Sequence, residues 1–436
     1  MIELRPDQVD AARHLAKVVR ARGAGIDASD TGVGKTYTAL GVTKLLGRMP
    51  LVVCPKAVIP SWERVLEASG LPHYGVYNYE RACPARRGKS TTAGIKLGGW
   101  KVYGRVYEWG LSPDRALIVF DEAHRLKTRT SNVSKLAVAA KRQGIPCLFL
   151  SATLAESPLD LYAVGYALGL HNGGRSFLPW ACEYGVYRGY FSWEFRATAE
   201  NLARLHGLLF PDCGVRIRAE DTGAFTECLY SADLVQVDRK AVRSIEAVAQ
   251  ELDQLKESLG EAELPVTEFL RLRQIAETAK LPALCSMVVD SGDCCNVVFL
   301  NFRKSVMHLG KLLAANDVEH VAIVGGMPSH VVGDKIQAFQ SGAVRCILCQ
   351  IDAGGVGISL HDTIGGHRRQ ALISPPLSAR VLKQALGRVH RAGSKTVPIQ
   401  RLVFAAGTVE ERVRARVSDK LTRLDLINDN DLNPLF

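Results

Sequence analysis

The chain has 436 residues, 47% hydrophobic and 23% charged, with 55 Lys and Arg against 44 Asp and Glu for a formal charge of +11. Its length predicts two or three domains, since one hydrophobic core rarely organises so many residues, and its composition excludes a disordered chain. The positive balance suits a polyanionic partner, and it suits a merely basic enzyme equally well.

The N-terminal MIELRPDQVDAARHL holds no signal-like apolar stretch, and no window approaches the ~18 apolar residues of a membrane span. Eleven cysteines are scattered without a repeated pair spacing. The one C-x-x-C, Cys346 and Cys349 in VRCILCQ, reads as part of a buried strand and has no second pair to complete a zinc site. Unpaired thiols in apolar surroundings fit a reducing compartment. The expectation is a soluble, cytoplasmic protein without membrane contact.

Short apolar runs alternate with helical patterns along the chain, which predicts an α/β fold with mainly parallel sheets flanked by helices. GIDAS, PLVVCP, ALIVFDE and CLFLSAT read as strands in the first half, and NVVFLNF, HVAIVGG, RCILCQ, QALISPP and IQRLVF in the second. Each set makes a sheet of its own. Between them, residues 214–290 are mostly polar and helix-prone, as in RKAVRSIEAVAQELDQLKESL. The predicted organisation is one α/β domain over 1–215, a helical linker over 216–285 and a second α/β domain over 286–436. Two stretches interrupt the first half. Residues 81–112 are basic and Gly-rich, with Arg86, Arg87 and Lys89, and read as an exposed insertion. Residues 177–195, FLPWACEYGVYRGYFSWEF, are dense in aromatics, a pattern more often found in a core than in a platform for stacked bases.

The first chemical signal is GIDASDTGVGKTYTAL. A small-residue strand runs into Gly32, Gly34, Lys35 and Thr36 and then into a helix-forming stretch. Phosphate binding needs that order. Glycines let the backbone of Asp30, Thr31, Gly32, Val33 and Gly34 wrap the phosphates, and the helix N-terminus adds its positive dipole end. Lys35 is placed to reach the β- and γ-phosphates, and Thr36 to ligate Mg²⁺. Ser29 stands where the general pattern wants glycine. A second GKS, at Gly88–Ser90, follows no strand and lacks the upstream glycine, so it is set aside.

The second signal is VFDEAHRLKTRT, Val119–Thr130. Alone, it reads equally as a solvated loop after a buried strand. A phosphate loop, however, needs an acid at a neighbouring strand end to complete its metal site. Asp121 fills that role, holding Mg²⁺ directly or through water, while Glu122 orients and deprotonates the attacking water. In the second half, QALGRVHRAG sets Arg388 and Arg391 three apart, on one face if the segment is helical. A solvated basic face is the usual origin of such spacing. The alternative is neutralisation of charge on a leaving γ-phosphate.

Together these motifs resemble the superfamily-2 helicase-like ATPases of the Swi/Snf type. In that family's order stand LRPDQ, SDTGVGKT, LVVCPKAVIPSWERVL, VYNYE, the DEAH box VFDEAHRLK and LSATL. VVFLNF, DAGGVGISL, QALGRVHRAG and RLVFAAGTVEERV follow, so the resemblance runs from Leu4 to about Val413. LHGLLFPDCGVRIRAED is similar to the family's stretch at the end of its first lobe. The resemblance implies two RecA-like lobes that use ATP and Mg²⁺. It implies Gln8 as the adenine reader and Gly357 beside the nucleotide. His124, Ser151, Thr153 and Gln384 would couple hydrolysis to movement, and Lys56, Gly354 and Gly355 would meet nucleic acid.

The partner so implied is DNA, duplex or branched, with a further protein for targeting. In build the chain is similar to compact relatives, the annealing-helicase branch and phage-borne versions, which points to DNA repair or recombination in a bacterial or phage-infected host. Ile351, Ser359 and the SPPLSARVLKQ that replaces a Trp-Asn-Pro depart from the family where DNA grip and coupling reside. The expected activity is ATP-driven movement along mostly duplex DNA. Strand separation on branched DNA or RNA, and a low-turnover nucleotide-controlled clamp, are the rival readings.

Overall fold

The computed structural model describes residues 3–83, 101–103, 106–190, 192–238, 266–351, 358–408 and 410. They fall into two compact units that part between Thr222 and Gly223.

In the first unit the apolar runs become strands β1 (Ala24–Asp27), β2 (Met49–Cys54) and β3 (Gly75–Asn78). β4 (Lys101–Tyr103) and β5 (Val106–Glu108) form a separate antiparallel pair. β6 (Ala116–Asp121) and β7 (Cys147–Leu150) return to the main sheet. A hairpin of β8 (Val186–Arg188) and β9 (Trp193–Phe195) precedes the short β10 (Gly214–Val215). Six strands make one parallel sheet in the order β10-β1-β7-β6-β2-β3.

Alternate residues leave each strand on opposite faces. Ile26, Val53, Ile118, Phe120 and Phe149 join one buried cluster with residues of helices Asn132–Arg142 and Tyr162–Leu168. Val52, Leu117, Val119, Leu148 and Leu150 join another with residues of helices Pro6–Arg22, Lys35–Leu46 and Ile59–Ser69. Both faces are covered, which is why the strands read as unbroken apolar runs rather than alternating ones.

The second unit builds another six-stranded parallel sheet from β11 (Leu229–Val235), β12 (Cys295–Leu300), β13 (His320–Ile323), β14 (Cys346–Gln350), β15 (Arg369–Ile373) and β16 (Ile399–Ala405). Their order is β11-β16-β15-β12-β14-β13. Helices Leu281–Val289 and Arg303–Ala314 press Leu284, Val288, Val306 and Leu309 against Val298, Leu348, Leu372 and Val403. Between helices Val266–Ala279 and Leu281–Val289, Lys280 is wholly buried. Its ammonium donates to Val403 O at 2.8 Å and to both carboxylate oxygens of Glu410 at 2.7 Å. Glu410 also accepts from Ala405 N–H. Among the described residues no helix is long and apolar enough to cross a membrane.

Three stretches differ from their sequence reading. The segment read as a helical linker contributes β11, which lies parallel to β16 along its whole length at the sheet edge. Polar residues interrupt LYSADLV because an edge strand is only partly covered, and that hid it among helical patterns. Residues 239–265 of the same segment lie outside the described residues. Arg86, Arg87 and Lys89 of the basic stretch do so too, while Trp109 and Leu111 near its end are core, the indole N–H donating to Leu136 O at 3.1 Å. The aromatic stretch divides. Phe177 and Trp180 are buried, whereas Tyr190 at the tip of the β8–β9 hairpin is 90% exposed.

Candidate functional site

Strand order brings the motifs of the first unit to one edge. β7 lies between β1 and β6, with Asp27 and Asp121 both in register with Leu150. At ~4.8 Å per strand, the two acids stand about 10 Å apart at the carboxyl end of the sheet, the edge where open α/β sheets bind ligands. Beyond β1, Gly32 and Gly34 take left-handed backbone with φ of 84° and 94°, a conformation that glycine adopts without strain. The turn delivers Lys35 to the start of helix Lys35–Leu46, with Thr36 next. A Cβ on Gly34 would stand 2.5 Å from Gln8 Nε2. Lys35 Nζ donates to the carbonyls of Ser29 and Asp30 at 2.8 and 2.9 Å, closing the loop on itself. Burial pulls its pKa down, opposed by Asp27, Glu122, Asp121 and Asp30.

Two segments brace this loop. From the N-terminal helix, Gln8 Nε2 at 3.0 Å and Arg5 Nη2 at 2.7 Å both donate to Val33 O. From the chain after β10, Arg216 donates to Ala28 O at 2.9 Å and pairs with Asp30 at 2.8 Å. Ala219 N–H reaches Asp30 Oδ2 at 3.0 Å, and Ile217 N–H reaches Ser29 Oγ at 3.1 Å. Beneath the loop lies Asp27, fully buried, with Oδ1 accepting Ser29 N–H at 3.0 Å and Oδ2 unpartnered among the described residues. Burial raises its pKa, with Lys35 the main opposing influence.

Asp121 closes β6. Its Oδ2 accepts the Trp62 indole N–H at 2.8 Å, its Oδ1 accepts Glu122 N–H at 2.9 Å, and Tyr79 donates its hydroxyl to the backbone oxygen at 2.8 Å. Burial and then the adjacent Glu122 push its pKa up to about 6, against the Trp62 hydrogen bond and Lys35. Glu122 itself is left-handed at φ 56°, a conformation uncommon for a residue with a side chain and concentrated at functional sites. Its Oε2 lies 3.2 Å from His124 Nδ1, and that nitrogen lies 3.2 Å from Ser151 Oγ. Ser151 Oγ accepts Thr153 N–H at 3.3 Å. A polar line therefore runs from Glu122 through buried His124 and Ser151 to Thr153, joining the ends of β6 and β7. Lys56 is exposed in the short turn Lys56–Val58 after β2.

The second unit assembles a cluster of its own. Helix Ala379–Val389 stops before His390, whose backbone is extended, so Arg391 lies beyond the helix and shares no helical face with Arg388. A loop brings them together instead. Arg388 Nη1 donates to Ile358 O at 3.3 Å, and its carbonyl accepts Leu360 N–H at 2.8 Å. Arg391 donates from Nη1 to Ser359 Oγ at 3.3 Å and from Nε to Gly387 O at 2.7 Å. Ser359 Oγ also lies 3.0 Å from His361 Nδ1, and burial, then Arg391 and Arg369, hold that imidazole down to about 4. Gln384 is buried on the same helix. Gly354, Gly355 and Gly357 lie outside the described residues.

A family model of the helicase conserved C-terminal domain matches residues 279–393, which include this loop and helix. Over 460 residues the chain is 31% identical to a protein of Acanthamoeba polyphaga mimivirus named a putative ATP-dependent RNA helicase, covering 99% of this chain and 84% of that one. It is 24% identical over 412 residues to the SWI/SNF-related matrix-associated actin-dependent regulator of chromatin subfamily A-like protein 1 of Xenopus tropicalis, covering 90% of this chain and 42% of that protein. The chain belongs to the Swi/Snf-type helicase-like proteins of superfamily 2.

This Swi/Snf-type protein thus spans less than half the length of its Xenopus relative. Its fold is shared by the Pyrococcus furiosus Hef helicase domain at a TM-score of 0.52 and 15% identity, over 95% of this chain and 99% of that one. The two parallel sheets are the RecA-like lobes of a helicase-like, ATP-dependent motor family, and use of ATP comes with membership.

Five residues of the Swi/Snf-type site went unnoticed in its sequence. Trp62 and Tyr79 sit inside quoted motifs, and the available cue was a ring with a polar handle soon after a strand end. Arg5 and Arg216 resembled ordinary surface charge. Asp27 was the visible anomaly, an acid inside an apolar strand.

Proposed function

We propose that this protein hydrolyses ATP to move along DNA, mostly duplex, and so remodels DNA or protein–DNA structures. One observation carries the reading, the line from Glu122 through His124 to Ser151 and Thr153. It ties the residue suited to activating water to a neighbouring strand end, so a change at the reacting phosphate is transmitted across the sheet edge.

In this reading Lys35 exchanges the carbonyls of Ser29 and Asp30 for the β- and γ-phosphates, while the backbone of Asp30, Thr31, Gly32, Val33 and Gly34 wraps them. The left-handed glycines leave room for that approach, and a carboxylate at the adjoining strand end fits a hard cation. Thr36 and Asp121 would hold Mg²⁺, which supplies neutralising charge on the phosphate oxygens. Glu122 takes a proton from the attacking water. Gln8 releases Val33 O to read adenine, with Gly357 beside the nucleotide. Arg388 and Arg391 answer the charge on the leaving phosphate, so turnover needs both units. Lys56, Gly354 and Gly355 contact the nucleic-acid backbone, Gln384 takes part in coupling, and a separate protein directs the motor to its target. The excess of 11 positive charges supports a polyanionic track.

RNA is the second reading, favoured by the name of the mimivirus relative. Steady-state ATP hydrolysis with duplex DNA, single-stranded DNA, forked DNA and RNA in parallel separates the two. Duplex DNA is expected to raise turnover most. Stimulation by RNA alone transfers the function to RNA, and an equal rate with and without every nucleic acid overturns the motor reading.

A further inference from the structure

Residues 358–362 run beside the segment that carries Arg388 and Arg391, and they are held from two sides. On that segment's side, Leu360 N–H donates to Arg388 O at 2.8 Å, Lys395 N–H donates to Asp362 O at 2.9 Å, and the Thr396 hydroxyl donates to Asp362 Oδ2 at 3.0 Å. On the other, at the end of helix Ser329–Gln340, the Gln340 amide nitrogen donates to Ser359 O at 2.9 Å. From β15, Arg369 Nη2 donates to Gln340 Oε1 at 2.8 Å. That bond sets which way the amide faces. A guanidinium only donates, so it takes the carbonyl end of Gln340 and leaves the NH₂ end to Ser359 O. Arg369 is itself 1% exposed and lies 4.4 Å from the centre of the Phe339 ring, which leaves it little room to turn.

Ser359 in turn meets Arg391. Its hydroxyl accepts from Arg391 Nη1 at 3.3 Å and lies 3.0 Å from His361 Nδ1. A hydroxyl is donor and acceptor at once, so it can serve both neighbours. Burial, then Arg391 and Arg369, keep the His361 ring uncharged at neutral pH, and it sits near both guanidiniums without repelling them. Arg391 Nε donates to Gly387 O at 2.7 Å. Two bonds from different nitrogens of one planar group fix its orientation, and one of the two depends on where Ser359 is held.

We infer that Ser359 and Gln340 are positioning residues for Arg391, with Arg369 orienting Gln340. Hydrogen bonds link the four in a line, from Arg369 to Gln340, from Gln340 to Ser359 and from Arg391 to Ser359. Holding the loop alone would not need the serine hydroxyl, because the backbone bonds of Leu360 and Asp362 already tie it to residues 388–396. The hydroxyl is spent on the guanidinium. The inference rests on the proposed role of Arg391 at the leaving phosphate, and it adds that the arginine is aimed before nucleotide arrives. Aim matters for such a group, since a displacement of about 1 Å can cost ~10²-fold in rate.

The test uses the full chain and reads kcat and KM for ATP in the presence of whichever of duplex DNA and RNA stimulates the wild type. Ser359→Ala is expected to lower kcat about tenfold, the effect of one hydrogen bond to a charged group, with KM for ATP unchanged, and Ser359→Thr to restore it. Gln340→Glu is nearly isosteric. It keeps an acceptor for Arg369 but turns an oxygen towards Ser359 O, so kcat is expected to fall by a similar factor while the melting temperature holds. Adding Ser359→Ala to Arg391→Ala should cost nothing more, because the same contact is already lost. Wild-type kcat in either Ser359→Ala or Gln340→Glu overturns the inference, as does a further loss in the double variant or a kcat that falls only as the melting temperature falls. An Arg391→Ala protein with wild-type turnover overturns the proposed role of the arginine, and the inference with it. If neither nucleic acid stimulates the wild type, the motor reading fails by itself and the same comparison is made on unstimulated turnover.

Discussion

Replacing Trp62 with phenylalanine removes one hydrogen bond and keeps most of a buried ring. The indole N–H donates to Asp121 Oδ2 at 2.8 Å, and that bond favours the ionised carboxylate. A hydrogen bond to a charged group contributes ~1.5–3 kcal/mol. Burial and Glu122 already raise Asp121 to about 6, and losing the indole raises it further. Since ~1.4 kcal/mol corresponds to one pKa unit and a factor of ten, the expected change is an acid limb of ATP turnover displaced upward by about one unit or more. The magnesium requirement should rise about tenfold or more in parallel, because only the ionised acid serves a cation. Both are read from ATP hydrolysis over a magnesium series at several pH values. Tyr79→Phe is the control, since its hydroxyl serves the backbone oxygen of Asp121 and not the carboxylate. A Trp62→Phe protein with unaltered magnesium dependence and an unmoved acid limb refutes the idea that the indole tunes Asp121.

Lys35→Ala and Glu122→Gln should fail in different ways. The first loses a phosphate partner and binds a fluorescent ATP analogue weakly, while the second binds and retains it without turnover; wild-type hydrolysis by Glu122→Gln removes that residue from the chemistry. Arg391→Ala should lose nucleic-acid-stimulated turnover by ~10³-fold or more while nucleotide binding persists, and retained stimulation assigns the arginine to its contacts with Ser359 and Gly387 alone. Asp27→Asn keeps an acceptor for Ser29 N–H but cannot ionise. Because burial raises the pKa of Asp27 in the folded state, its contribution to stability is complete below the ordinary aspartate range and fades as pH rises through the folded value. The melting temperature of the nucleotide-free wild type should therefore fall relative to Asp27→Asn as pH rises from acid to neutral, and parallel curves would remove Asp27 as the cause.

The turn of Gly32–Thr36 between a strand and a helix, and the pair Asp121–Glu122 at a strand end, were legible as local structure because each is written within a few consecutive positions. The strands β1, β2, β6, β7 and β12–β16 were legible because two covered faces demand continuous apolar runs, whereas β3, β10 and β11, at the sheet edges, were not read. What stayed hidden depends on distance along the chain. Trp62 reaches Asp121 across 59 positions and Arg216 reaches Ala28 across 188, and no local pattern announces such pairs. The i,i+3 spacing of Arg388 and Arg391 suggested a shared helical face, but the extended backbone of His390 ends the helix first. β11 was missed for a related reason, since among the described residues it pairs with β16, far downstream.

The buried pair of Lys280 and Glu410 joins positions 130 apart and sets a lower bound on any fragment of the second unit. A chain cut just after β16 would retain every strand of the sheet and still leave the Lys280 ammonium inside it without its carboxylate. Removing one partner of such a pair costs ~3–5 kcal/mol, a large share of what holds a domain together. Proteolysis between Ala405 and Glu410 would therefore release more than a tail. It would leave a solvent-starved cation beneath the last strand, and the whole unit would register the cut.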